Sequence, residues 1–225
     1  RTPMNGVVSM AEMLRETLLT EEQRLFADTI RNSGEALLVI INDILDYSKI
    51  DAGKLALHPE SFDLQQVIQE IFHLMRPGLD GKALDLRLDY DFFLPDRMIG
   101  DRGRIRQILT NLVGNAVKFT QSGHVLVQVC AAPRDAPPGT VPIRVVVEDT
   151  GIGIAQDMQA HVFGEFNQVD VNTNRRFDGT GLGLAITARL VAMMGGKHWL
   201  ESEPRLRSRF GFALDLAADP AAQAQ

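Results

Sequence analysis

Three short stretches of the chain combine residue types that could bind a nucleotide. In the first, Asn111, Asn115 and Lys118 are spaced four and three residues apart, so they share one face of a predicted helix. Amide oxygens are suitable ligands for Mg²⁺, and a lysine ammonium can neutralise phosphate. The row could therefore hold a metal-bound triphosphate, although an exposed polar stripe would have the same spacing.

The second stretch begins with Asp149, directly after an apolar strand, and reads Asp-Thr-Gly-Ile-Gly-Ile. A carboxylate at a strand end can accept a hydrogen bond from the exocyclic amine of a base. Gly151 and Gly153 would let the backbone come close to a flat ring. The stretch fits an adenine pocket, and the alternative is a turn that uses glycine for its positive φ.

The third stretch is Gly-Thr-Gly-Leu-Gly-Leu at residues 179–184, where a helix is predicted to begin. The free N–H groups and positive dipole end of a helix N-terminus attract anions. The stretch lacks the Gly-Lys-Ser/Thr of a P-loop and follows no strand, unlike a dinucleotide-binding turn. As an isolated glycine run it is a weak signal for phosphate binding.

The elements that would position these stretches alternate between helices and strands from about residue 60 onwards. The predicted helices cover 64–75, 101–119 and 181–194, and the predicted strands cover 84–90, 125–130, 143–148, 198–202 and 210–216. A polar segment with weak periodicity lies between residues 154 and 179. We expect an α+β fold in which helices cover one face of a sheet.

The first 59 residues predict two amphipathic helices. Thr20 and Gln23 have the spacing of a capping box at the start of the second helix. An apolar seam follows in alternating steps of four and three: Phe26, Ile30, Ser33, Leu37, Ile40, Ile44 and Tyr47. The earlier helix carries Val7, Ala11, Leu14 and Leu18 at the same steps. Two helices cannot enclose a core, so they either dimerise into a four-helix bundle, which we favour, or dock on the rest of the chain.

Composition narrows the classes of partner. The formal charge of -6 and the absence of a basic patch argue against nucleic acid as a partner. No apolar run approaches the roughly 20 residues that span a bilayer, and no signal-peptide pattern is present. We therefore expect no membrane contact from this chain and a cytoplasmic location, even if a longer parent is membrane-anchored. The single cysteine, Cys130, excludes an internal disulfide and is expected to be buried.

In their order and spacing, the three stretches and Phe163-Gly164-Glu165-Phe166 resemble the N, G1, F and G2 boxes of histidine kinases. The first six residues, Arg-Thr-Pro-Met-Asn-Gly, resemble the second half of the H box, and residues 41–50 resemble the end of the hairpin in hybrid histidine kinases. The resemblance covers nearly the whole chain. It implies a dimerisation and phosphotransfer hairpin at 1–59, truncated before its acceptor histidine, a Bergerat-type (GHKL) α/β sandwich at 60–217, and a linker-like tail at 218–225.

The resemblance also implies an activity and its cofactors, ATP and Mg²⁺. The γ-phosphoryl group of ATP would pass to a histidine and then to an aspartate of a response-regulator receiver domain, fused or separate. Asn111 would coordinate Mg²⁺, Asn115 and Lys118 would contact the phosphates, and Asp149 would bind the adenine amine. The other implied nucleotide-binding residues are Phe119, Gly151, Gly153, Ile154, Phe163, Gly179, Thr180, Gly181, Leu182 and Gly183.

Four residues receive more specific roles from the same resemblance. Arg175 or Arg176, in the lid over the nucleotide, would stabilise charge on the γ-phosphate, unless both are merely solvated. Thr2 would orient water when a phosphoryl group is removed from the partner regulator, unless it is only the helix residue before Pro3. Phe163 would anchor the lid, although simple core packing would also explain an aromatic residue there.

The family's phosphoacceptor histidine would lie three residues before Arg1. None of the five histidines present, His58, His73, His124, His161 and His198, lies on the first hairpin helix. The chain is therefore expected to bind ATP without phosphorylating itself. Two other classes stay open: a conformational ATPase of the gyrase type, against which the hairpin argues, and a scaffold without enzymatic activity, in which the polar motifs would have no role.

Overall fold

The structure of the protein is a computed structural model that describes residues 2–133, 137–164 and 181–220. The chain divides into two compact units, and the main division lies between Leu55 and Ala56. The first unit is a helical hairpin and the second is built around a sheet. None of the described helices is both long enough and apolar enough to cross a membrane.

The hairpin consists of α1 (Thr2–Arg15) and α2 (Glu21–Asp51). The start of α2 is the predicted capping box, because the Gln23 N–H donates to Thr20 Oγ1 at 3.2 Å and the Thr20 N–H donates to Gln23 Oε1 at 3.0 Å. The predicted extent of the first helix is wrong at its end. Leu18 lies beyond α1 and is fully exposed, because the chain leaves the helix at Thr17, whose N–H and hydroxyl both donate to the Leu14 carbonyl.

The two helices of the hairpin approach each other through small residues. Ala11, Ala27 and Gly34 are buried, and a Cβ atom added to Gly34 would lie 2.7 Å from Val8 Cγ2. The large residues of the predicted seam remain exposed in the single chain: Phe26, Ile30, Leu37, Ile40 and Ile44. One hairpin alone therefore leaves this apolar seam facing solvent.

The second unit is a seven-stranded sheet with helices, in the order β1 (Glu60–Phe62), α3 (Leu64–Met75), β2 (Ala83–Tyr90), β3 (Met98–Gly100), α4 (Arg102–Phe119), β4 (Ser122–Ala131), β5 (Thr140–Asp149), α5 (Gln156–Gln159), α6 (Gly183–Met193), β6 (Lys197–Glu203) and β7 (Arg207–Ala218). The strand order is β1-β3-β7-β5-β4-β2, and β6 pairs with β7 beside β3. Only the β2–β4 pair is parallel among the described strands. The predicted α+β class is confirmed.

The two faces of the sheet differ in burial. Along β4, Val125, Val127 and Val129 are buried with the apolar residues of α3, α4 and α6, while the residues between them belong to the opposite, more polar face. Cys130 lies on that second face and is exposed, so the expectation that it would be buried is wrong.

Two short strands had no sequence signal. β1 and β3 have three residues each and pair with one another, and β3 also pairs with the end of β7. The last strand runs through Ala218, one residue past the predicted limit of the sandwich. Asp219 follows it, is buried, and accepts a hydrogen bond from the hydroxyl of Ser61 in β1.

Candidate functional site

Helix α4 places the three polar residues of the first stretch on one face of a continuous helix. Its start is fixed by Asp101, whose carboxylate accepts from the Arg104 N–H at 3.0 Å. The apolar side of α4 is buried in the sheet unit, while Asn111, Asn115 and Lys118 are only half-buried. The helix therefore presents two amides and an ammonium in a row.

Asn111 connects α4 with the start of α6. Its Nδ2 donates to the Gly183 carbonyl at 3.1 Å and lies 3.5 Å from Thr187 Oγ1. A carbonyl acceptor requires the amide nitrogen at this position, so the orientation of the amide follows from its partner. The remaining atom, Asn111 Oδ1, makes no hydrogen bond to a described residue, and it is the atom that could bind a metal ion.

The end of α4 is held by a residue that the sequence motifs did not indicate. Lys82 Nζ donates to the Val117 carbonyl at 2.6 Å and to the Thr120 carbonyl at 3.2 Å. A cation suits this position, because the last carbonyls of a helix lack intrahelical partners and carry the negative end of its dipole. Lys118 Nζ lies 5.1 Å from the centroid of the Phe119 ring. Lys82 therefore fixes the segment that carries Lys118 and Phe119.

Asp149 ends β5 and is 4 % exposed. Its Oδ1 accepts from the Gly151 N–H at 2.9 Å. The pKa of this carboxyl is raised to about 6. Burial is the largest cause and the charge of Glu148 also raises the pKa, while the Gly151 hydrogen bond and the Thr120 hydroxyl lower it. A carboxylate that is nearly withdrawn from water yet still ionises near neutral pH is suited to accept a hydrogen bond from a ligand.

The glycines after Asp149 are required by contacts within the protein. A Cβ atom on Gly151 would lie 2.5 Å from the Phe119 carbonyl oxygen, and one on Gly153 would lie 2.2 Å from the Glu203 carbonyl oxygen. Gly153 also has a φ of 64°. The Ile154 N–H donates to Ser202 Oγ at 2.8 Å. The second stretch is thus packed against the end of α4 on one side and against the β6–β7 hairpin on the other.

The turn of that hairpin is Pro204-Arg205-Leu206. Arg205 has a φ of 60°, the only positive value at a non-glycine residue in the described part of the chain. Its N–H donates to the Ile152 carbonyl at 2.7 Å. The unusual turn therefore supports the stretch after Asp149.

Phe163 packs on the last two strands. Its ring centroid lies 4.5 Å from that of His198 and 6.1 Å from that of Phe210. Burial lowers the pKa of His198, so this histidine is neutral at neutral pH and acts as a packing partner. Phe163, which lies within the polar segment at 154–179, is therefore held against β6 and β7.

Several predicted site residues cannot be placed with the others. Arg175, Arg176, Gly179 and Thr180 lie outside the described residues. Gly181 has a φ of 70°, and Leu182 is buried just before α6. Thr2 is the exposed first residue of α1, in the hairpin unit.

The described residues fit a purine nucleotide better than a metal ion alone. Within them, no group of three or more His, Cys, Asp or Glu side chains could hold a cation. A Mg²⁺ ion would therefore need oxygens from a ligand in addition to Asn111 Oδ1. The Thr120 hydroxyl beside Asp149 is buried without a hydrogen bond of standard geometry, a polar gap typical of a site with an absent ligand or water.

Two family models match the chain. Residues 100–218 match "Histidine kinase-, DNA gyrase B-, and HSP90-like ATPase", and residues 1–53 match "His Kinase A (phospho-acceptor) domain". The first match contains α4, Asp149 and α6, and the second contains the hairpin.

The chain is similar to two bacterial signalling proteins and two solved structures. It is 42% identical over 220 residues to signal transduction histidine-protein kinase BarA of Escherichia coli, covering 98% of this chain and 24% of BarA. It is 40% identical over 217 residues to sensory/regulatory protein RpfC of Xanthomonas campestris, covering 96% of this chain and 30% of RpfC. The chain thus spans less than a third of the length of these curated relatives.

The crystal structure of full-length ShkA in complex with AMPPNP gives a TM-score of 0.80 at 37% identity, covering 99% of this chain and 45% of ShkA. The histidine kinase AdeS of Acinetobacter baumannii, at 21% identity and a TM-score of 0.67, covers 96% of this chain and 94% of its own and shows the shared fold. The hairpin, the sheet unit and the motifs at the ends of α4 and β5 all agree with these matches: the chain belongs to the sensor histidine kinases and comprises their hairpin and ATPase regions.

Proposed function

We propose that this chain binds ATP with Mg²⁺ and is the catalytic core that transfers the γ-phosphoryl group to a histidine, for relay to a response-regulator aspartate. The observation that carries the proposal is the placement of Asp149, buried at the end of β5 beside the end of α4. The carboxylate that would bind the adenine amine and the polar residues of α4 that would bind the phosphates then belong to one site. The AMPPNP in the ShkA structure supports the same ligand class.

Each described residue has a task that its surroundings permit. Asp149 accepts from the adenine amine, and Gly151, Gly153, Ile154 and Phe119 line the base. Asn115 and Lys118 contact the phosphates, and Asn111 Oδ1 coordinates Mg²⁺. The ion supplies charge neutralisation on the triphosphate. Phosphoryl transfer needs little covalent help from the protein, so catalysis rests on positioning and on neutralising charge.

The remaining proposed roles are supported by the resemblance to the family. Phe163 anchors a lid, and residues 179–183 fold over the phosphates: Gly179, Thr180, Gly181, Leu182 and Gly183. Arg175 or Arg176 donates to the γ-phosphate. Thr2 orients water in the removal of phosphoryl groups from the regulator.

For the whole protein, we propose a homodimer formed by the hairpin at 1–59, with the catalytic domain at 60–217 and a linker at 218–225. A receiver domain, fused or separate, accepts the phosphoryl group, and the reaction takes place in the cytoplasm. The His Kinase A match supports dimerisation, and the similarity to BarA and RpfC supports a receiver partner.

Calorimetric titration of the purified chain with ADP and Mg²⁺ tests the binding site. We expect binding by the parent chain and an affinity at least about tenfold lower in Asp149→Ala, because the base amine loses a charged acceptor. Asp85→Ala is the matched control, since Asp85 is an exposed carboxylate on β2 whose ion pair with Arg87 lies at the surface. A parent chain that binds no ADP would contradict the proposal and leave a scaffold role.

Incubation with radiolabelled ATP tests the phosphotransfer step. Because the family's acceptor histidine is not among these 225 residues, we expect this polypeptide to gain no acid-labile, base-stable phosphate. Such a phosphate on the purified chain would show that one of its five histidines accepts the group. Multiple-turnover hydrolysis of ATP without labelled protein would instead indicate a conformational ATPase.

A further inference from the structure

The Thr120 side chain is buried at the end of α4 beside Asp149. It is 0 % exposed, and its hydroxyl oxygen makes no hydrogen bond of standard geometry with a described residue. A Cβ atom on Gly151 would lie 2.8 Å from Asp149 Oδ1 and 2.9 Å from Thr120 Oγ1, so both oxygens adjoin the same point of the backbone. A purely structural residue at this position would be better served by valine, which has the same shape without a hydroxyl to satisfy.

The position of Thr120 is fixed from both sides. It caps α4 with an extended backbone, at φ −111° and ψ 126°, and its carbonyl accepts from Lys82 Nζ at 3.2 Å. Its β-branched side chain has few rotamers. The hydroxyl is therefore held close to the carboxylate.

We propose that Thr120 is a positioning residue of the nucleotide site, whose hydroxyl donates to the Asp149 carboxylate and keeps it ionised and oriented toward the adenine amine. The proposal rests on the proposed function, since it needs an adenine nucleotide at Asp149. Asp149 Oδ1 already accepts from the Gly151 N–H at 2.9 Å. The two carboxylate oxygens can accept about four hydrogen bonds, so one backbone donor leaves most of their acceptor sites unused.

The electrostatics agree with this geometry. Burial and the charge of Glu148 raise the pKa of Asp149, while the Thr120 hydroxyl lowers it. Without the hydroxyl, the pKa should rise above about 6 and the carboxyl should be partly protonated near neutral pH. Charged or titratable side chains close to Asp149 in the sheet register or at the neighbouring helix end include His124 on β4, Arg207 and Arg209 on β7, Lys118 on α4 and Lys82 before β2. Arg209 is paired with Glu148 at 3.0 Å.

The test compares Thr120→Val with Thr120→Ser, which keeps the hydroxyl. ADP affinity is measured by calorimetry at a series of pH values on the full chain, together with thermal unfolding of each variant. We expect Thr120→Val to bind ADP about tenfold more weakly near neutral pH. The deficit should shrink as the pH rises, because the carboxyl of the variant then ionises. Thr120→Ser should keep the affinity and pH profile of the parent chain.

Three outcomes would overturn the proposal. Thr120→Val could keep the affinity and pH profile of the parent chain. It could lose affinity equally at every pH while Thr120→Ser loses as much, which would indicate packing alone. Finally, the parent chain could bind no ADP, which would refute the proposed function as well. In the first two outcomes the parent chain does bind ADP, so they refute only the role of Thr120.

Discussion

The buried carboxyl of Asp149 makes the folded state sensitive to pH. Its pKa is about 6 in the folded chain against an ordinary value of 3.8. Because the folded state holds the proton more tightly than the unfolded state, the stabilisation that comes from the protonated carboxyl is present at low pH. It is lost as the pH rises through about 6. At neutral pH the chain therefore carries an ionised group whose burial opposes folding.

Replacing Asp149 with asparagine should remove this cost and impair binding at the same time. We expect the free energy of unfolding of Asp149→Asn, relative to the parent chain, to increase between about pH 4 and about pH 7 by on the order of 2–3 kcal/mol. Urea denaturation across this range measures the difference. ADP affinity should fall, because the amide supplies a neutral acceptor and directs a donor toward the base amine.

The matched control for this experiment is Asp85→Asn. Asp85 is exposed on β2, so the stability of this variant relative to the parent chain should stay nearly constant over the same range. An Asp149→Asn curve as flat as the Asp85→Asn curve would show that Asp149 does not carry the pH dependence.

Individual residues differ in how far the sequence could identify them. Asp149 and Asn111 belong to local patterns, a strand followed by glycines and a polar row on a helix, so their place was predictable. Lys82 and Thr120 were missed. Lys82 meets the Val117 carbonyl across 35 positions of sequence, and Thr120 matters because of where β5 brings Asp149. Such contacts arise from the tertiary fold and have no local pattern.

At the scale of elements, the packing of α1 on α2 depends on Gly34. A Cβ atom there would lie 2.7 Å from Val8 Cγ2, whereas nothing lies within 4 Å of a Cβ atom on Gly6 of α1. Alanine is favoured over glycine inside a helix by about 1 kcal/mol. We therefore expect Gly6→Ala to raise the melting temperature of the hairpin and Gly34→Ala to lower it or leave it unchanged.

Circular dichroism during thermal unfolding measures both substitutions. Adding Val8→Ala to Gly34→Ala should restore part of the lost stability by making room for the new methyl group, beyond what Val8→Ala does alone. If Gly34→Ala stabilised the hairpin as much as Gly6→Ala, this result would contradict the close packing of α1 on α2 at Gly34.

Helix starts that are set by a capping residue were predicted well. The starts of α2 and α3 follow from Thr20 with Gln23 and from Asp63 with Gln66, and in both the cap accepts from the backbone N–H three residues on. The strands β1 and β3 were missed because three residues carry no periodicity, and their pairing partners lie about 40 residues apart. Cap chemistry is local, whereas the pairing of short strands is not.

At the scale of the whole molecule, the exposed seam of α2 requires a partner. Phe26, Ile30, Leu37 and Ile44 repeat at helical spacing and are each more than 40 % exposed in one chain. Burial of such a stripe against a second hairpin would gain roughly 25 cal/mol per Å² of apolar surface. The proposed four-helix bundle of two chains would bury the seam.

A double substitution of the seam, Ile30→Glu with Leu37→Glu, should convert a dimer into a monomer, because four charges in a dimer would enter an apolar interface. Sedimentation velocity at several protein concentrations measures the mass. The control is Val39→Glu, which places the same charge on an exposed apolar residue of α2 outside the seam and should leave the dimer intact. ADP affinity should be unchanged in all three chains, since Asp149 and α4 belong to the other unit. A parent chain that remains monomeric at about 100 μM, which corresponds to a dimer weaker than about 5.5 kcal/mol, or equal disruption by Val39→Glu, would refute the seam as the dimer interface.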